Sequence, residues 1–249
     1  MEVLRLKRPK KRLLTKVGSE TPFEFGNVYK TYGGTDYAAP VGGIPSLNGA
    51  TQASIHCRIK VSSGKFAIIG STVSSNNRFE LMKHSNNMFY ISCSNGPTCF
   101  ASIDFTPYFD LWTSVSVVLD TTKTGNSNKL ICKINDTPQS LNFTGTVPNS
   151  LSNSIGSNFN INKLALYNII GTSEYTTIVA TNDASTDEQM AAFYNDGNGA
   201  FPEDCFTNII ANPDTNQQDG ATVMPGRLGT PDFQLYNSST PPAYFVPKT

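Results

Sequence analysis

The sequence predicts an all-β protein built as two antiparallel sheets packed face to face. Apolar residues recur at period two in short runs bounded by Ser, Asn or Gly, the spacing of a sandwich. Only one segment, 186 to 195, carries the pattern of a helix. With 19 Gly and 15 Pro in 249 residues and 15% charged side chains, the composition suits many strands joined by turns. It argues against a helical bundle or a wholly disordered chain. One large sandwich core is expected for this length.

Taken in order, residues 1 to 20 form a basic arm, and residues 21 to 50 are rich in Gly, Pro and Tyr, with Phe23-Glu-Phe25 as a possible strand. Regular alternation begins at Ile55, Cys57, Ile59 and Val61. Strands are then expected at Phe66 to Ile69, Phe79 to Met82, Met88 to Ile91 and Phe100 to Ile103. Val115, Val117 and Leu119 share one face of a half-buried strand that follows Trp112. A polar run at 122 to 128 breaks the pattern, and Leu130, Cys132 and Ile134 resume it as the second arm of a hairpin. Asn135-Asp136 is a pair that tolerates positive φ in a tight turn. Ile161 to Tyr167 gives one more short strand.

Ser185-Thr-Asp-Glu188 has the spacing of a capping box opening a helix whose Met190, Phe193 and Tyr194 share an apolar face, to be docked on the sandwich. Asn195-Asp-Gly-Asn-Gly199 stops it. From 206 to 249 the prolines Pro213, Pro225, Pro231, Pro241, Pro242 and Pro247 leave Asp232 to Tyr236 as the one strand candidate. The expected organisation is therefore an arm at 1–20, a sandwich at 21–205 and an extended proline-rich segment at 206–249.

The order of elements from residue 50 to 200 resembles the laminin-G-like and concanavalin-A-like lectin family. The resemblance is carried by the Trp112-led strand, an apolar strand ending at Asn135, a strand ending near Tyr167, and a small helix closing with Tyr194-Asn-Asp-Gly197. It implies a concanavalin-A-like two-sheet antiparallel jelly-roll sandwich with one short helix and extended N- and C-terminal arms. Asp136 stands where family members often have Gly, and the acidic loop residues that hold calcium in some members have no counterpart here. No cofactor or metal is expected.

The formal net charge of zero hides an asymmetry. Residues 1 to 16 hold Arg5, Lys7, Arg8, Lys10, Lys11, Arg12 and Lys16 against Glu2, a balance of +6 (7 − 1), and the remaining 233 residues carry −6 (12 − 18). Five cysteines make an odd count. Cys57 and Cys132 fall at inward strand positions, and Cys93 and Cys99 flank a hairpin loop where a bridge could form in an oxidising environment. The first residues carry positive charge without an apolar core, so no secretory signal is expected. No stretch approaches the ~18 apolar residues of a membrane span.

Enzyme motifs are missing from the sequence. Glycosidases of the resembled fold use a Glu-x-Asp-x-x-Glu strand to place two carboxylates on one face, and the chain has no such strand. His-Glu-x-x-His, Gly-Lys phosphate loops, dinucleotide fingerprints and Gly-x-Ser-x-Gly elbows are absent too. His56 and His84 are expected at the solvated surface, and no enzymatic activity is expected.

Two aromatic loops combine groups that can hold a sugar. Tyr32-Gly-Gly-Thr-Asp36-Tyr37 offers ring faces and a carboxylate, so Tyr32, Asp36 and Tyr37 are the candidate carbohydrate contacts; the simpler reading is a glycine turn whose tyrosines pack on the body. Pro107 to Trp112 is aromatic-rich, with Leu111 and Trp112 expected in the core.

The arm is the sharper signal. Val3, Leu4, Leu6, Leu13, Leu14 and Val17 interleave with its charges, so Arg5, Lys7, Arg8, Lys10, Lys11 and Arg12 are expected to contact a partner surface, or alternatively nucleic acid. The leading expectation is a non-enzymatic bacteriophage virion structural protein, such as a capsid decoration, head-fibre or tail component. It would assemble in the host cytoplasm as part of a large or homo-oligomeric particle, bound to other virion proteins through the arm. The alternative is a carbohydrate-binding module for host-surface glycans, and the third is a glycoside hydrolase with an unrecognised site.

Overall fold

The computed structural model describes residues 27–31, 36–62, 66–83, 86–161, 173–218, 220–236 and 245–247. The basic arm, Phe23 to Phe25, Tyr32, His84 and all but the first residue of the strand expected at 161–167 lie outside these residues.

The described chain opens with β1 (Asn27–Thr31) and β2 (Tyr37–Pro40). Next come β3 (Gln52–Val61), β4 (Phe66–Ser74), β5 (Asn77–Lys83), β6 (Met88–Asn95) and β7 (Phe100–Asp104). β8 (Thr113–Asp120) and β9 (Leu130–Ile134) form the expected hairpin across a single-turn helix, α1 (Asn126–Lys129). Asn135 and Asp136, at φ 49° and 57°, make the tight turn into β10 (Thr137–Pro138). Two more short strands, β11 (Asn142–Thr144) and β12 (Phe159–Ile161), precede the long β13 (Ser173–Thr181). Helix α2 (Asp187–Tyr194) and the single turn α3 (Pro202–Cys205) follow. The proline-rich stretch then supplies β14 (Ile209–Ala211), β15 (Val223–Met224), β16 (Phe233–Tyr236) and β17 (Phe245–Pro247).

These strands form two antiparallel sheets. The first has the order β10-β9-β8-β3-β13-β1-β17 with β14 also on β13, and the second the order β11-β7-β6-β5-β4-β12-β2-β16-β15. Their inner faces meet in one core, to which β3 gives Ile55, Cys57 and Ile59, β8 gives Val115, Val117 and Leu119, and β5 and β6 give Phe79, Leu81, Phe89 and Ile91. The protein is a two-sheet antiparallel sandwich, and α2 is its one helix longer than a single turn among the described residues.

β13 has no counterpart in the sequence expectations, yet it sits at the centre of the first sheet, pairing with β3 on one side and β1 on the other. Among the described residues Pro213, Pro225, Pro231 and Pro247 fall between or at the ends of strands, where a missing N–H costs no ladder bond. Leu111, expected in the core, is 56% exposed, and Trp112 is half-buried. Asp110 at φ 58° turns the chain outward just before β8, so the aromatic anchors here are Tyr108 and Phe109, packed around Phe105.

His56 corrects a second expectation. It lies on the outer face of β3 but is fully buried, because α2 and the segment after α3 cover that face with Phe193 and Phe206. Its Nδ1 is 2.9 Å from Ser116 Oγ and its Nε2 is 2.9 Å from Ser185 Oγ. Burial holds its pKa far down, at about 3. Ser185 is thereby committed to the histidine, and the helix is capped one residue later: Gln189 N–H donates to Thr186 Oγ1, and Thr186 N–H donates to Gln189 Oε1. Met190 and Phe193 are buried as expected, and Tyr194 is half-buried.

All five thiols are free. Cys93 and Cys99 are neighbours across the hairpin, with Cys93 N–H donating to Cys99 O at 3.1 Å, and both side chains are buried.

Candidate functional site

Two tyrosines from distant parts of the chain meet at one end of the second sheet. In β2 the alternation turns Ala38 into the core and leaves Tyr37 and Ala39 half-buried on the outer face. β16 pairs with β2 in the register Leu235↔Ala38 and Tyr236↔Tyr37. Directly opposite residues on one face are in side-chain contact. Here the two rings lie nearly parallel, with centroids 4.6 Å apart and planes 10° from each other. Tyr236 stays 43% exposed, so the stack ends in an open aromatic surface.

The polar wall beside this stack comes from the turn Ile155–Asn158 and β12. Its position is fixed at Gly156. Ile44 N–H donates to Gly156 O at 2.8 Å, and Gly156 N–H donates to Asn48 Oδ1 at 2.8 Å. A Cβ at residue 156 would stand 2.0 Å from Ile44 O, a distance no side chain can occupy. The turn buries Ile155, whose carbonyl accepts from Ser71 Oγ, and presents Ser157, Asn158 and Asn160 outward. Asn160 Nδ2 donates to Asn158 O at 2.8 Å, which orients one amide. Phe159, edge-on to Phe233 at 6.3 Å, roots the strand in the core.

Tyr37, Tyr236, Ser157, Asn158 and Asn160, with Thr72 of β4, border a cleft of about 330 Å³ whose remaining lining is Ala39 and Phe159. That volume lies at the small end of ligand sites. None of the described lining residues is charged.

Beside Thr72, on the neighbouring strand, is a buried carboxyl group. The Thr72 hydroxyl donates to Glu80 Oε1, and Glu80 itself is fully buried on β5. Burial pushes the Glu80 carboxyl up, while the Thr72 hydroxyl and Arg78 pull it down. Arg78 Nη1 is 3.7 Å from Glu80 Oε2, too long for a hydrogen bond, and its guanidinium lies 4.5 Å above the Phe100 ring on the side away from Thr72. Glu80 Oε2 and Ser92 Oγ have no hydrogen-bond partner among the described residues.

Of the candidate contacts read from the sequence, Tyr37 lines the cleft, and Asp36 is 5% exposed and absent from its lining. Tyr32 and the arm residues Arg5, Lys7, Arg8, Lys10, Lys11 and Arg12 lie outside the described residues. Tyr236, Thr72, Asn158 and Asn160 were not anticipated. Tyr236 ends the one strand expected in the proline-rich segment, and an aromatic at a strand end beside a polar loop was its only signal. Among the described residues no three or more His, Cys, Asp or Glu come together as a possible metal site.

No protein-family model matches the sequence, and no curated protein matches it. Solved structures do share the fold. A Bacteroides ovatus protein provisionally described as carbohydrate-binding superposes with a TM-score of 0.60 at 10% identity, covering 86% of this chain and 59% of its own. This chain thus spans about three-fifths of that protein's length. The receptor-binding domain of botulinum neurotoxin type G matches at a TM-score of 0.45 and 10% identity, over 68% of this chain and 46% of that one. The NanB sialidase of Streptococcus pneumoniae matches at 0.46 and 13%, over 66% and 27%. The first likeness establishes the lectin-like sandwich, and the other two are too distant to carry an argument.

Proposed function

We propose that the chain is a non-enzymatic carbohydrate-binding module whose ligand sits in the cleft between the Tyr37–Tyr236 stack and the Ser157–Asn160 wall. The observation that carries this reading is the stack itself. A ring left 43% exposed at the mouth of a cleft offers the apolar surface on which the C–H face of a pyranose rests. The amides and hydroxyls opposite match a sugar's donors and acceptors. The Bacteroides ovatus protein, described as carbohydrate-binding, has the same sandwich, which supports the reading. Fluorescently labelled protein on a glycan array tests it. Wild type should retain a subset of glycans, and Tyr236→Ala should lose them while keeping its melting temperature. Binding that is indifferent to Tyr236 would place the ligand elsewhere.

A second reading, a virion structural protein docked by its arm, rests on the separation of +6 in residues 1 to 16 from −6 in the remainder. Arg5, Lys7, Arg8, Lys10, Lys11 and Arg12 would contact other virion proteins, with the sandwich facing outward. A chain lacking residues 1–20 should then fold yet fail to enter the particle. Incorporation at the full-length level would move the anchor to residues 206–249.

A further inference from the structure

We infer that Thr72 is the specificity-determining hydrogen-bond acceptor of the cleft, that Glu80 is its positioning residue, and that the ligand is a neutral saccharide that donates a hydroxyl to Thr72. The inference rests on the carbohydrate-binding reading above. A hydroxyl has one proton and two lone pairs, and which it offers depends on where the proton goes. The Thr72 proton goes to Glu80 Oε1, which is outside the cleft lining. What Thr72 has left for a ligand is acceptor capacity. A free threonine would serve donors and acceptors alike; this one selects donors.

Glu80 is held in place for that task. It is fully buried, it follows Arg78 by two positions on the same face of β5, and Arg78 is the cross-strand partner of Thr72. The positive charge of Arg78 is directed at Glu80 and the Phe100 ring, and Arg78 does not line the cleft. No described cation therefore faces the ligand, and the Arg78–Glu80 pair sits to one side of the cleft, outside its lining. An anionic sugar would find no charged group in the described lining to offset the loss of its hydration, whereas a neutral one needs none, which favours neutral glycans over sialylated ones.

The test uses the full chain on an array that carries neutral and sialylated oligosaccharides, with wild type, Thr72→Ser, Thr72→Val, Glu80→Gln and Tyr236→Ala compared at equal concentration. Wild type and Thr72→Ser should bind the same neutral glycans. Thr72→Val, which keeps shape and removes the acceptor, should lose about tenfold in affinity, the cost of leaving one ligand hydroxyl unpaired. Glu80→Gln can donate to Thr72 and turn its proton into the cleft, so its glycan ranking should change rather than merely weaken. A structural role alone would not reorder the ranking. Because Glu80 is buried, its variant is read only if its melting curve stays cooperative; the Thr72 pair decides the matter without it. If Tyr236→Ala abolishes binding while Thr72→Val binds as wild type, the Thr72 inference is overturned and the cleft reading stands. A wild-type preference for sialylated glycans overturns the neutral class. If wild type binds no glycan, or if Tyr236→Ala binds as wild type, both readings fall together.

Discussion

His56 and Phe206 are stacked face to face beneath α2, with ring centroids 4.2 Å apart and planes 17° from each other. A neutral imidazole fits that position and an imidazolium does not, since the ring is fully buried and both nitrogens face serine hydroxyls rather than a carboxylate.

A pH dependence of stability follows. The pKa of His56 is lowered from 6.5 to about 3 in the fold, so between those limits the unfolded chain takes up a proton that the folded chain refuses. This contribution is complete above the unfolded value and declines as pH falls, by about 1.4 kcal/mol per pH unit at most. Urea titrations near pH 7 and pH 5 should differ in the wild type, and the difference should shrink in His56→Gln. Equal slopes in the two proteins would assign the effect to other groups.

The helix cap separates two adjacent hydroxyls. Thr186→Ala removes the side-chain half of the capping box and should cost about 1 kcal/mol. Ser185→Ala leaves the cap intact but strands His56 Nε2, and the loss of a partner for a buried polar atom should cost about 1–3 kcal/mol. Chemical denaturation of both variants checks the order; a larger loss at Thr186 would show that the histidine contact contributes little.

Phe193 joins Val179 and Phe206 in the small core that seals the outer face of the first sheet. Phe193→Ala should cost about 3–5 kcal/mol. A melting temperature unchanged from wild type would mean that the helix does not seal this face.

Thiol reactivity should be confined to one site. Cys57, Cys93, Cys99 and Cys132 are buried, and burial raises the pKa of each thiol; Cys205 is the partly exposed one, raised to about 11. Iodoacetamide on the folded, reduced protein should label Cys205 first and faster as pH rises, and Cys205→Ser should remove that early phase. Early labelling at Cys93 or Cys99 would show that their hairpin opens.

The legible strands are those whose outer positions are mostly polar, even where they are buried. Val115 and Val117 alternate with Ser114 and Ser116, and Ile55, Cys57 and Ile59 with Ser54, His56 and Arg58, so the inner face stands out in the sequence. β13 escaped notice for two physical reasons. Val179 packs under α2 while Ile178 and Ala180 face the inner core, so apolar residues run together. A register shift between Tyr175 and Thr177 also resets the parity midway. The cap was misplaced by one residue because Ser185 and Thr186 are equivalent as letters, and only the position of His56 decides between them. Tyr37 was readable as an aromatic beside a glycine loop. Its partner was not, since nothing local to Tyr236 says that β16 will lie against β2.

The first and last described strands meet in the pair β1–β17, with Asn27 opposite Pro247. The pair is antiparallel, so both ends of the described chain leave the first sheet at the same point. A pulling force applied through them would load the bonds of β17 one after another rather than all at once. Under tension the sandwich should therefore peel from this edge like a zip, with Phe245 the first core residue drawn out, while the tyrosine cleft on the opposite sheet bears none of the initial load.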